Sequence, residues 1–149
     1  MNQATQKYWN EYWKNQNQPQ SVSAWQFGAD PDYLAQLVID GIKTATCSGY
    51  TFYELENEPL PTKEDYSIIL NSDDQPVAII KTVEVTLTPM NKVTEEFAIA
   101  EGEGDKTYKY WWEAHEKFFR NELNTIGREF SEDMLLVCER FKLVDVKNG

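Results

Sequence analysis

Aromatic residues recur at helical spacing near the start of the chain. Tyr8 and Tyr12 lie four positions apart, as do Trp9 and Trp13, which predicts an amphipathic N-terminal helix at about residues 3–15. This aromatic face either packs on the rest of the chain or docks a protein partner.

A second helix is marked by its start and its end. Asp30 and Pro31 are residue types that favour the N-cap and the first helical position, and Gly41 is placed to end the helix in a left-handed conformation. The apolar face of this predicted helix consists of Leu34, Leu37 and Val38.

Most of the remaining apolar segments are predicted strands. They are Ser23 to Phe27, Thr44 to Ser48, Tyr66 to Leu70, Pro76 to Leu87 and Met134 to Val146. Two further helices are predicted at Thr94 to Ala100 and Thr107 to Asn124, a hairpin turn at 71–74 and a loop at Glu54 to Pro61. Because strands and helices do not alternate regularly, the fold class is predicted to be α+β with a mixed or antiparallel sheet.

Length and composition indicate one domain over residues 1–149, large enough to bury a core without disulfides or a metal. The first residues are polar and do not predict a secretory signal, and no apolar run approaches the ~20 residues of a membrane span. We therefore expect a cytoplasmic protein that does not bind membranes.

Charge narrows the classes of ligand. The formal net charge of −11 opposes non-specific binding of nucleic acid, because like charges repel the phosphate backbone. Aromatic residues make up 13% of the chain, which supplies flat faces for stacking on bases or bulky anchors for the core. An uncharged small ligand, a nucleoside, or RNA held in a locally basic cleft remain as partners.

The residues that bind transition metals are few. Cys47 and Cys138 lie far apart in the sequence, and His115 is the single histidine, so a zinc site would lack ligands. We expect free thiols, no metal and no cofactor.

Lys43 and Thr46 place an amine and a hydroxyl within three residues. A desolvated Lys43 with a lowered pKa could take the proton of Thr46 and make it a nucleophile. In an extended strand, however, residues three apart point to opposite faces, and the alternative is a solvated lysine beside a strand threonine.

Two acidic features admit similar pairs of interpretations. The segment Glu101-Gly102-Glu103-Gly104-Asp105 either holds Mg²⁺ or Ca²⁺ or, as we prefer, lets Asp105 cap the following helix. Glu84, within an apolar strand, either pairs with Lys43 or faces water.

Together these segments resemble the ASCH domain family over nearly the whole chain. The resemblance rests on an ordered set of motifs: Trp25-Gln26-Phe27-Gly28, Gly41-x-Lys43-x-x-Thr46, Pro76 to Ile80, Glu101 to Asp105, the helix with Trp111, His115 and Phe118-Phe119, and Val137-Cys138-Glu139-Arg140-Phe141.

The resemblance implies a PUA-like fold, a small β-barrel with flanking helices, and a cleft that binds RNA. The implied ligand-binding residues are Trp25, Gly41, Lys43, Thr46, Trp111 and His115. Some members of the family look like ribonucleases.

One branch of the family hydrolyses the amide of N4-acetylcytidine. By resemblance, Lys43 would be its proton acceptor, Thr46 its nucleophile and Glu84 its acid.

The chain departs from the family pattern at Ala29, Glu64 and Trp112. An arginine usually stands in place of Trp112, so a phosphate contact is lost. We expect binding of RNA or a modified nucleoside beside Lys43 and Thr46, with an amidohydrolase and a protein-interaction module as alternatives.

Overall fold

The structure, a computed structural model, describes residues 1–148, and in this part of the chain it has five α-helices and five β-strands. The helices are α1 (Gln3–Trp13), α2 (Pro31–Ile39), α3 (Tyr50–Glu56), α4 (Glu95–Glu101) and α5 (Tyr108–Thr125). The strands are β1 (Val22–Trp25), β2 (Ala45–Gly49), β3 (Tyr66–Leu70), β4 (Pro76–Pro89) and β5 (Leu135–Val146), and a short 3-10 helix, Met90–Lys92, follows β4. No helix within residues 1–148 combines the length and the apolar character of a membrane span.

The five strands form one mixed sheet in the order β1-β3-β4-β5-β2. β1 pairs with β3 in parallel, and the other neighbouring pairs are antiparallel. The α+β class is therefore confirmed. The closed barrel is not confirmed, since β1 and β2 lie at the two ends of this order and the described strands leave the sheet open.

Side chains along each strand alternate between the two faces of the sheet, and helices cover both faces. Ile69 packs with the α2 residues Leu34 and Val38, whereas its neighbour Ile68 packs with Tyr8 and Trp9 of α1. A third cluster joins β2 to α4 and α5 through Ala45, Phe97, Trp111 and Phe119.

The aromatic face of α1 is buried within its own chain. Trp9 is 1% exposed, Tyr8 donates a hydrogen bond to Asp145 Oδ2 at 2.8 Å, and Trp13 makes edge contacts with Trp9 and Tyr66. Tyr8 and Trp9 are therefore core residues, whereas Tyr12 and Trp13 remain partly buried.

Two local predictions differ from the structure, the first in part and the second in full. α3 begins at Tyr50 and extends to Glu56, into the segment that the sequence predicts as a loop. Thr107, whose hydroxyl accepts from Tyr110 N, is the N-cap of α5, and Asp105 accepts from Thr107 N and Oγ1 without capping the helix itself.

The turn after α2 directs Lys43 towards the interior. Gly41 has φ +75°, and the backbone N–H groups of Ile42 and Lys43 both donate to Leu37 O. Thr44 N then donates to Ala100 O at 2.8 Å, which ties the start of β2 to the end of α4.

Candidate functional site

Lys43 is the centre of a buried charge network. Its side chain is 1% exposed, and Nζ donates to Glu101 Oε1 and Glu103 Oε2, both at 3.0 Å. Nζ also lies 5.5 Å from the centroid of the Phe27 ring. A lysine so enclosed is stable as a cation because two carboxylates replace the water that it has lost.

Glu101 connects Lys43 to α5. Its Oε2 accepts from Trp111 Nε1 at 2.6 Å and from the Cys47 thiol at 3.3 Å, and it lies 3.4 Å from His115 Nε2. His115 Nδ1 is 2.7 Å from Trp111 O, and because a carbonyl only accepts, Nδ1 carries a proton. The His115 ring also stacks on Trp111 at 4.5 Å between centroids.

These contacts fix the charge states of the network. Burial by itself would raise the pKa of Glu101, but Lys43 and His115 hold that pKa well below its usual range. Burial by itself would lower the pKa values of Lys43 and His115, yet the Glu101 carboxylate raises both. The pKa of Lys43 is thus raised, whereas a proton acceptor at neutral pH needs a lowered one.

Gly102 allows the acidic segment to reach Lys43. Its φ is +72°, and a Cβ at this position would lie 2.5 Å from Ile42 O. Only glycine fits both the conformation and the close approach, and the next turn then brings Glu103 to the lysine.

A large concave feature lies between the two edge strands. A cavity of about 750 Å³ is lined by residues of β1 and β2, by β3 and by side chains from α3 and α5. Its aromatic lining residues are Trp25, Phe27, Phe52, Tyr53, Tyr66, Phe118 and Phe119. Thr46 and Ser48 add hydroxyls, with Ser48 Oγ 2.9 Å from the Tyr53 hydroxyl.

The charged side chains that line this cavity are all negative. Its carboxyl groups are Glu56, Glu58, Asp65, Glu122 and Glu139, and no lysine or arginine is among the described residues that line it. A phosphate would be repelled here, whereas an uncharged or cationic ligand would not.

Glu139 differs from the other carboxyl groups of the cavity. Thr82 Oγ1 donates to its Oε1 at 3.3 Å, and β-sheet register sets it opposite Thr46. Burial, with a smaller contribution from Asp65, raises the pKa of Glu139 to about 7.

The predicted site residues divide into two groups. Trp25 and Thr46 line the cavity, while Lys43, Trp111 and His115 belong to the buried network. Gly41 shapes the turn, and a Cβ there would meet no atom within 4 Å.

The two groups share a wall. Cys47 lines the cavity and donates its thiol to Glu101, and Phe27 lines the cavity while lying beside the Lys43 ammonium. The network therefore lies directly behind the cavity.

Glu84 does not join either group. Its side chain is 58% exposed and lies 3.9 Å from Arg140 Nε. In the sheet Glu84 and Ala45 are both opposite Arg140, whereas Thr46 is opposite Glu139, so Glu84 and Thr46 point to opposite faces. The carboxylates that reach Lys43 are Glu101 and Glu103, which the sequence offered only as part of a metal or capping segment.

Cys47, Glu101 and His115 are the described residues whose donor atoms could surround a metal, since one atom of each lies within 4.8 Å of the others. Sulfur, oxygen and nitrogen suit zinc by type. The Lys43 ammonium, 3.0 Å from the same carboxylate, opposes a second cation.

Comparisons with known proteins agree with this fold. The model of the ASCH domain family matches residues 23–145. An ASCH domain from Lactobacillus crispatus shares 37% identity at a TM-score of 0.89, covering 96% of this chain and 95% of that chain. A protein from Enterococcus faecalis shares 41% identity at a TM-score of 0.87, covering 98% of this chain and 91% of that chain.

A more distant structure shares the fold alone. It is a variant of an ASCH protein from Zymomonas mobilis, with 11% identity and a TM-score of 0.50 over 85% of this chain and 72% of that chain. No curated protein matches the sequence.

Proposed function

This chain belongs to the ASCH domain family, and from that premise we propose that it binds an uncharged, modified nucleoside in the cavity between β1 and β2. The observation that carries the proposal is the lining of that cavity, which combines aromatic faces and hydroxyls with carboxyl groups and no basic side chain among the described residues. Aromatic faces stack on any base, and the missing cations disfavour the phosphates of RNA.

The edge strands add a geometric argument. Both β1 and β2 line the cavity although they are the two ends of the sheet. We propose that the cavity occupies the gap across which a PUA-like barrel would close, so that a ligand would contact both edges.

Calorimetric titration with N4-acetylcytidine and cytidine tests this function. Removing a stacking ring by Trp25→Ala is expected to weaken nucleoside binding by about 1–3 kcal/mol, roughly 5- to 150-fold. Glu84→Gln, on the opposite face of the sheet, is the matched control and should bind like the wild-type protein.

Two results would contradict the nucleoside site. One is equal affinity of the wild-type protein and the Trp25 variant. The other is tighter binding of a single-stranded RNA than of either nucleoside, with a steep dependence on salt, which would restore the RNA interpretation.

Amide hydrolysis is the second candidate, and the cross-strand pair Thr46 and Glu139 favours it. Directly opposed residues of an antiparallel pair have Cβ atoms roughly 4.5–5.5 Å apart, and both residues line the cavity. Thr46 Oγ1 would attack the amide carbonyl while its proton passes to the ionised Glu139 carboxyl. The proton then goes to the leaving amine, and water hydrolyses the acyl ester.

Incubation with N4-acetylcytidine, followed by chromatography for cytidine and acetate, tests the reaction. The rate is expected to rise as pH increases through about 7, where Glu139 ionises, and Thr46→Val should abolish it. Full activity in Thr46→Val, or no release of acetate by the wild-type protein, would reject this candidate.

A further inference from the structure

Glu139 lies in the wall of the cavity, and no lysine, arginine or histidine of residues 1–148 forms an ion pair with it. It is on β5, opposite Thr46 of β2, and its Oε1 accepts from the Thr82 hydroxyl of β4. The next residue, Arg140, points to the other face of the sheet, where its Nη2 donates to Glu96 at 2.8 Å. The positive charge nearest in sequence is therefore engaged elsewhere.

The other ionisable groups that face this cavity are acidic. They are Cys47 of β2, Tyr53 and Glu56 of α3, Glu58 after α3, Asp65 before β3, Tyr66 of β3 and Glu122 of α5. Burial makes ionisation of Glu139 costly, and Asp65 adds a smaller repulsion, so the pKa of Glu139 is raised to about 7. Near neutral pH the group therefore exists in both protonation states.

The two states recognise different ligand edges. A neutral carboxyl donates one hydrogen bond and accepts another, whereas a carboxylate only accepts. Because Thr82 donates to Oε1, the proton of the neutral acid is expected on Oε2, which is free to donate to a ligand.

Resting on the proposed nucleoside site, we propose that Glu139 contacts the ligand in its protonated form. It thereby selects an uncharged base edge on which one acceptor lies beside one donor, as N3 lies beside N4–H on cytosine. Phosphates are disfavoured because the surrounding carboxyl groups repel them. Base edges that offer only acceptors are disfavoured because the neutral carboxyl has only one proton to donate.

The test is the pH dependence of cytidine binding, measured by calorimetry at pH 5.5 and 8.5. If only the protonated form binds, the apparent Kd equals the intrinsic Kd divided by the protonated fraction. It should therefore rise ~30-fold from pH 5.5 to pH 8.5. Glu139→Gln carries a fixed donor and acceptor in place of the neutral acid, so its Kd should be nearly independent of pH and lower than the wild-type value at pH 8.5.

Two comparisons isolate Glu139. Glu122→Gln removes another carboxyl from the same cavity and should keep the wild-type slope with pH. His115 and the other titratable groups are retained in the Glu139 variant, so a slope that persists there comes from one of them and contradicts the proposal.

The remaining outcomes separate this inference from the function on which it rests. Cytidine binding by the wild-type protein that is unchanged between pH 5.5 and 8.5, or tighter at pH 8.5, overturns the role of Glu139 and leaves the nucleoside site standing. Failure of both the wild-type protein and Glu139→Gln to bind cytidine or N4-acetylcytidine at either pH overturns both proposals.

Discussion

Glu101 and Glu139 are carboxyl groups of the same protein, on the two sides of one wall, and they hold their protons differently. Glu101 has Lys43 at 3.0 Å and His115 at 3.4 Å, and it is ionised. Glu139 has a threonine hydroxyl at 3.3 Å and acidic neighbours, and its pKa is about 7. Burial acts on both, so the difference comes from the partners.

The difference indicates which region holds the fold and which is available to a ligand. Each polar group of Glu101 is already matched by a donor from its own chain, so a ligand could replace none of them without loss. Glu139 keeps an oxygen with no donor from its own chain among the described residues, in a cavity large enough for a nucleoside. We therefore expect the first region to respond to mutation mainly in stability and the second mainly in binding.

Removing Lys43 should have the largest effect. Lys43→Met leaves the Glu101 carboxylate buried without its main counter-ion, and breaking such a pair is expected to lower the free energy of unfolding by about 3–5 kcal/mol. Urea denaturation at pH 7 measures the loss. Lys81→Met is the control, because its partner Glu64 is 66% exposed, and a loss as large in this variant would contradict the special role of the Lys43 pair.

Glu139→Gln should act on stability in the opposite direction. The folded pKa of about 7 lies above the ordinary value of 4.5, so the folded chain holds a proton that the unfolded chain releases. The stabilisation is complete below about 4.5 and is lost as pH rises through about 7. Thermal unfolding should therefore show the variant more stable than wild type at pH 8.5, by up to about 3 kcal/mol, and little changed at pH 4.

Glu101→Gln sharpens this comparison. The same substitution at the paired carboxyl should destabilise the protein at pH 7, since it removes the partner of both Lys43 and His115. If Glu101→Gln and Glu139→Gln changed the free energy of unfolding in the same direction at pH 8.5, the neighbours of the two carboxyl groups would not account for a difference between them.

The smallest expected effect separates two glycines. Gly41 and Gly102 both have positive φ, but an added Cβ meets nothing within 4 Å at Gly41 and lies 2.5 Å from Ile42 O at Gly102. Gly102→Ala should cost about 1–3 kcal/mol more than Gly41→Ala, because backbone must move to relieve the overlap. Chemical denaturation of the two variants measures this difference, and equal losses would mean that the acidic segment adapts without displacing Glu101 or Glu103.

Local signals in the sequence were sufficient for most secondary structure. Pro31 begins α2 as predicted, and the turn at Gly41 follows its end, because proline and glycine constrain φ wherever the chain goes. The sequence did not predict α3, because its aromatic residues have little intrinsic preference for a helix; in the fold this helix contacts β5.

The sequence by itself determined that Lys43 and Thr46 follow a helix that ends near Gly41, and that the chain resembles the ASCH domain family. It did not determine which carboxylate Lys43 would meet, because Glu84 and Glu101 are both distant in sequence and look alike as residue types. Tertiary structure made that choice: Thr44 N binds Ala100 O, which brings the end of α4 to the lysine, while the pleat of β4 turns Glu84 to the opposite face from Thr46. The charge state of a buried group depends on distances in space, and those exist only once the sheet and helices have packed.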